Sequence, residues 1–98
     1  MLKLKIEKMK QEEIKELIEE LGYEEVLLFE SPSYNNAFIG LTEDGRAVYD
    51  YHDMVQCLVE SDGMTEEEAE DFIQYNTIRA LPYYEKHPVI MRKLEYLL

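Results

Sequence analysis

Cysteine is almost absent from this sequence. Cys57 is the only one in 98 residues, so no disulfide can form within the chain. There is no tryptophan, and only three prolines and four glycines are present, too few for a collagen-like or low-complexity chain. Long apolar runs are missing too. The longest is Val26-Leu27-Leu28-Phe29, against the roughly 20 apolar residues that a spanning helix requires. The opening residues, Met1-Leu2-Lys3-Leu4-Lys5-Ile6-Glu7-Lys8, alternate charged with apolar residues from Leu2 to Ile6, so no signal-peptide apolar region is expected there. With a lone cysteine and no export signal, the expected compartment is the cytoplasm.

Positive charge is the next scarcity. Ten Lys and Arg face twenty-two Asp and Glu, for a formal net charge of −12. Lys3, Lys5, Lys8, Lys10 and Lys15 crowd the first fifteen positions, and no Lys or Arg lies between Arg46 and Arg79. That gap holds Asp50, Asp53, Glu60, Asp62, Glu66, Glu67, Glu68, Glu70 and Asp71. Direct binding to nucleic acid or to an anionic membrane is therefore not expected, since both reward a basic patch. Catalytic signatures are lacking as well: no glycine-rich phosphate loop, Cys-x-x-Cys, Gly-x-Ser-x-Gly or His-Glu-x-x-His. Asp62-Gly63 resembles the middle of a calcium loop, but with Gly63 at the sixth position of such a loop the first and last ligand positions fall on Leu58 and Ala69, whose side chains supply no oxygen ligands.

What remains is enough for a fold. Hydrophobic residues make up 46% of the chain, typical of a globular domain. The length suits a single domain over 1–98, burying roughly 60–65% of the surface its unfolded form exposes. The expected class is α+β. Ile6, Met9, Ile14, Leu17, Ile18 and Leu21 recur at helical spacing, predicting a helix from about Met9 to Leu21 that Gly22 ends. The alternation over Leu2–Ile6 also fits a short strand. Tyr23–Glu30, Ala37–Thr42 and Arg46–Asp50 read as three strands of an antiparallel meander, the last two joined by the hairpin signal Asp44-Gly45. Two helices packed on one face follow. Tyr51, Met54, Val55, Leu58 and Val59 make the stripe of the first. Thr65 with Glu68 opens the second as a capping box, which carries Ala69, Phe72, Ile73 and Ala80 and stops at Pro82. Residues 88–98 suit a fourth strand through Val89-Ile90-Met91, or else a helix starting near Pro88.

Several groups of side chains are candidates for chemistry or binding. Asp50, His52 and Asp53 lie at a strand-to-helix junction and could ligate a divalent metal. The favoured reading is that Asp50 or Asp53 caps the helix, and no metal or other cofactor is expected. Asn76 falls in the apolar stripe of its helix, where a buried amide needs a hydrogen-bond partner or costs about 1–3 kcal/mol. Tyr75 and Arg79 are one turn apart, a spacing that allows a side-chain contact. With Tyr83 and Tyr84, these residues form a polar-aromatic cluster. It anchors a ligand or partner, or else Asn76 pins backbone and Arg79 binds the helix's own terminal carbonyls. Glu67, Glu70 and Asp71 belong to the acidic band, where Glu66–Glu70 and Glu67–Asp71 are like-charge pairs at i,i+4. They form a solvated face or a selected binding surface. Eight tyrosines are present, a residue enriched at interfaces. Cys57 lies off its helix's apolar stripe, with no basic neighbour to activate it as a nucleophile.

The stretches Glu43-Asp44-Gly45-Arg46-Ala47-Val48-Tyr49-Asp50-Tyr51, Asp62-Gly63-Met64-Thr65-Glu66-Glu67-Glu68-Ala69 and Tyr75-Asn76-Thr77-Ile78-Arg79-Ala80-Leu81-Pro82-Tyr83 resemble a family of short uncharacterised proteins from Gram-positive bacteria and their mobile elements. The resemblance covers roughly residues 15 to 91. It implies a shared fold and no mechanism.

Together these features suggest a non-enzymatic module that docks a protein partner, with a homodimer as one form of it. The rival is an acidic mimic of nucleic acid that blocks a DNA- or RNA-binding protein. A mimic needs its carboxylates on one continuous face, whereas an adaptor can scatter them. A small metal-dependent enzyme built on Asp50, His52 and Asp53 comes third.

Overall fold

The computed structural model describes residues 10–98. The Leu2–Ile6 alternation and the first members of the N-terminal stripe, Ile6 and Met9, lie outside the described residues. Helix α1 spans Gln11–Glu20 and buries Ile14 and Ile18, one turn apart on the expected stripe. At its start the Lys10 N–H donates to the Glu13 carboxylate at 2.9 Å, satisfying one of the donors a helix leaves open. At its end Gly22 takes φ 94°, a value cheap only for glycine.

Tyr23–Glu30 is not a strand, which corrects the expected meander. No regular element lies between α1 and a short 3-10 turn at Asn35–Ala37. Two local causes are visible. Glu25 sits at φ 55°, a left-handed conformation that interrupts any ladder. The main chain of Phe29 is held by side chains instead of by a neighbouring strand. Its N–H donates to Tyr49 Oη at 3.1 Å, and its carbonyl accepts from Gln11 Nε2 at 3.0 Å.

The sheet has three strands in the order β1-β2-β3 and is mixed. β1 (Phe38–Leu41) and β2 (Ala47–Asp50) pair antiparallel across the Asp44-Gly45 turn, with a bulge between Phe38 and Gly40. The Thr42 N–H donates to the Arg46 carbonyl at 2.8 Å and the Gly45 N–H to the Thr42 carbonyl at 3.0 Å. The Thr42 hydroxyl donates to the Asp44 carboxylate. β3 (Val89–Met91) is the C-terminal strand and runs parallel to β2, with Val48 opposite Val89 and Asp50 opposite Met91. Parallel partners need a long crossover, and the helical segments between β2 and β3 supply it. Arg46 adds a tie: its Nε donates to the His87 carbonyl at 2.8 Å, fixing the hairpin to the approach of β3. After β3, Leu94, Leu97 and Leu98 stay exposed, so the alternative C-terminal helix has no buried face.

α2 (Tyr51–Asp62) starts directly from β2. It buries Tyr51, Met54, Val55 and Leu58, and Gly63 ends it at φ 68°. α3 (Glu66–Phe72) opens on the expected capping box. The Glu68 N–H donates to Thr65 Oγ1 at 3.1 Å and the Thr65 N–H to Glu68 Oε1 at 2.9 Å. Met54 and Leu58 of α2 meet Ala69 and Ile73 in one core with Tyr49, Ala37, Ala47 and Leu28, into which α1 sends Ile14 and Ile18.

The third helix does not continue regularly to Pro82. It becomes a π turn over Ile73–Thr77 and a 3-10 segment over Ile78–Tyr83. A π turn holds more residues per circuit than an α turn. Asn76 therefore swings out of the apolar stripe and is exposed, while Thr77, 7% exposed, takes the buried place. The expectation of a buried Asn76 is thus corrected by one position.

Candidate functional site

The π turn and the irregular stretch before β1 face each other across a groove of 390 Å³. Leu27, Leu28, Phe29, Pro32 and Tyr34 contribute from one segment, and Asn76, Thr77, Ala80, Leu81 and Tyr84 from the other, with Pro88 between α3 and β3. The lining is mostly apolar. Tyr34 Oη and Thr77 Oγ1, 3.2 Å apart, form a buried hydroxyl pair in the groove wall, and Glu30, Ser31 and Asn76 are its other polar residues. Burial pushes the Tyr34 phenol above its ordinary pKa and the Thr77 hydrogen bond partly offsets this. The phenol therefore stays neutral at physiological pH and serves as a donor or acceptor. Leu27 is 36% exposed and Tyr84 54%, so a contact on the groove would remove apolar surface from water.

The polar-aromatic cluster is divided by the structure. Asn76 and Tyr84 line the groove. Tyr75 and Tyr83 do not line it and are exposed at 65% and 87%. Arg79 lies over the Tyr75 ring at 5.6 Å from its centroid, the contact their spacing suggested.

The acidic band is divided as well. Glu67, Glu70 and Asp71 are all exposed. Glu70 and Glu66, however, line a smaller cleft of 120 Å³ together with Arg92 and Lys93 from beyond β3. In that cleft Arg92 stacks on Tyr51 at 3.8 Å, and His52 stacks on Tyr96 at 4.3 Å and 14°. Sequence reasoning missed these cations because they arrive from more than twenty residues away through the β2–β3 pairing. Nothing local to α3 announces them.

The Asp50, His52 and Asp53 constellation separates by role. Asp50 is fully buried and caps α2, its Oδ2 accepting the Asp53 N–H at 3.2 Å, while Oδ1 has no partner among the described residues. Burial, and then the Asp50 carboxyl beside it, raises the Asp53 carboxyl above the usual range. The His52 ring is committed to Tyr96. Among the described residues no three His, Cys, Asp or Glu side chains converge as a metal site. Cys57 is half-buried and burial raises its thiol, with Asp53 and Glu60 adding to the effect. A thiol held in that form is a poor nucleophile.

Comparison of the chain with protein-family models, with curated proteins and with solved structures gave no match.

Proposed function

We propose that this chain is a non-enzymatic protein-docking module and that its docking face is the groove between residues 27–34 and 76–88. The observation that carries the reading is the groove itself: a mostly apolar lining in which Leu27 and Tyr84 are left uncovered. Protein contacts concentrate their energy in aromatic and apolar anchors of this kind. Tyr75, Tyr83 and Arg79 extend the face with residue types enriched at contacts.

The division of the acidic band favours docking over imitation of nucleic acid. Glu66 and Glu70 share their cleft with Arg92 and Lys93, so cations interrupt the run of carboxylates that a mimic would need to keep continuous.

The test is affinity capture from the native host with the parent and with a Leu81→Asp, Tyr84→Ala double variant, melting curves being recorded for both. Capture lost in the variant with folding intact supports the reading. Equal capture by both proteins refutes the groove as the docking face. Capture that instead fails only in a Glu67→Gln, Glu70→Gln, Asp71→Gln variant and collapses with added salt transfers the function to the acidic face.

A further inference from the structure

The stretch Val26–Glu30 has the composition of a strand and, among the described residues, no strand to pair with. Its Val, Leu and Phe content is that of a β segment. Yet among the described residues no backbone-to-backbone hydrogen bond involves any position from 24 to 33. Among the described residues, side chains engage the main chain of this stretch only at Phe29, through Tyr49 Oη and Gln11 Nε2. Main-chain donors and acceptors are obligatory hydrogen-bonding groups, and a row of unpaired ones is a template for another chain. The row borders the groove, to which Leu27, Leu28, Phe29 and Glu30 contribute.

Resting on the docking reading above, we infer that the partner enters the groove as an extended strand that pairs with the main chain of Val26–Glu30. Its apolar side chains occupy the groove and its basic side chains meet the surrounding carboxylates. Charge complementarity defines the second half of that chemistry. Glu24 and Glu25 precede the stretch and Glu30 ends it. Among the described residues Lys15 is the one cation that bridges to it, at 3.2 Å from Glu30, and both of those side chains are exposed. A helix laid in the groove would bring no free main-chain groups, because its own are used internally, and would leave the unpaired row as it is. An extended segment of alternating apolar and basic residues satisfies the row, the groove and the charge together.

The probe is a synthetic peptide, acetyl-Lys-Val-Lys-Val-Lys-Val-Lys-amide, titrated into the full-length ¹⁵N-labelled protein. Two further versions carry N-methyl groups on the valines or on the lysines, and a fourth replaces every lysine by glutamate. An added strand bonds through one edge only. One N-methylated version should therefore lose at least tenfold in affinity while the other binds like the parent peptide. Amide exchange at Val26, Leu28 or Glu30 should slow in the complex, and the glutamate version should not bind. Equal binding by both N-methylated versions, with Ala80 and Leu81 resonances shifted, refutes strand pairing and leaves docking in the groove intact. Absence of any groove shift with every peptide refutes the strand inference, and the docking reading is then judged on the capture experiment alone. Amides of Val26–Glu30 already protected in the free, dilute protein would show that the chain itself fills the site. Protection that appears only on concentrating the protein would show a second copy. Either result overturns the partner strand.

Discussion

Residues 38–73 and residues 74–98 differ in how completely local chemistry is satisfied. In the first region a turn or cap residue marks the hairpin, both ends of α2 and the start of α3. Gly45 sits in the hairpin turn at φ 80°, Asp50 and Thr65 cap α2 and α3, and Gly63 stops α2. Met54, Leu58 and Ile73 are fully buried. In the second region the helix loosens into π and 3-10 turns, the 3-10 segment buries no residue, and Tyr83 and Tyr84 face water. Agreement among cap, turn and stripe yields an element whose apolar face is used up within the fold. Where that agreement lapses, surface remains for contact with something else.

The sharpest way to break this contrast is to truncate one large side chain in each region to alanine. Leu58→Ala is expected to cost about 2–5 kcal/mol in urea unfolding, the usual range for a fully buried leucine. Tyr83→Ala should stay within about 0.5 kcal/mol of the parent. A comparable loss at both positions would mean that the second region is as tightly packed as the first.

The register of the π turn sets up a smaller pair of effects. Thr77→Val leaves the buried Tyr34 hydroxyl without its partner, and the expected cost is about 1–3 kcal/mol. Asn76→Ala, at an exposed position, should change stability by less than about 0.5 kcal/mol. Thermal melts of the two variants decide the register, since a regular α-helix would reverse their order.

The first region has one point of tension, and pH exposes it. The raised Asp53 carboxyl keeps a proton in the folded chain that the unfolded chain has already released. Stability therefore falls as pH climbs from the unfolded carboxylate value, about 3.9, through the raised folded one. Asp53→Asn keeps the main-chain N–H that Asp50 accepts and cannot ionise. Its melting temperature should exceed the parent's at pH 7 and converge on it near pH 3. Parallel curves for the two proteins would show that Asp53 does not control this window.

The smallest effect concerns the acidic band. Glu67→Gln with Asp71→Gln removes one like-charge pair and should stabilise by a few tenths of a kcal/mol at low salt. Glu66→Gln with Glu70→Gln should yield less, because Arg92 and Lys93 already share that cleft. Raising the salt should shrink the difference between the two double variants.

Which parts were legible follows from the range of the signals. Thr65 and Glu68, Asp44 and Gly45, and the Met54–Leu58 stripe act over three or four residues and can be read in place. The β-strand reading of Val89–Met91 also held, although its parallel partner could not be foreseen. Tyr23–Glu30 misled because strand composition does not supply a neighbour, and because Tyr49 and Gln11 claim the Phe29 main chain from far along the sequence. Asn76 misled because a π turn leaves no mark in a helical pattern. Of the candidate site, Asn76 and Tyr84 were legible as members. The facing segment of Leu27, Pro32 and Tyr34 was hidden behind its strand-like composition, and only the Leu-Leu-Phe run hinted at apolar surface.

The parallel pairing of β2 with β3 also sets an order in time. The β1–β2 turn closes a loop of a few residues, whereas Val48 meets Val89 only after α2 and α3 have been traversed, and loop-closure entropy grows with that separation. The hairpin and α2 are thus expected to form in the rate-limiting step and β3 to dock after it. Ile90→Ala should then speed unfolding and leave the folding rate nearly unchanged. Until β3 arrives, one edge of β2 is open to the same strand of a neighbouring molecule, the usual route to aggregation. A net charge of −12 keeps such half-closed chains apart, so the acidity that dominates the composition also acts as a folding safeguard.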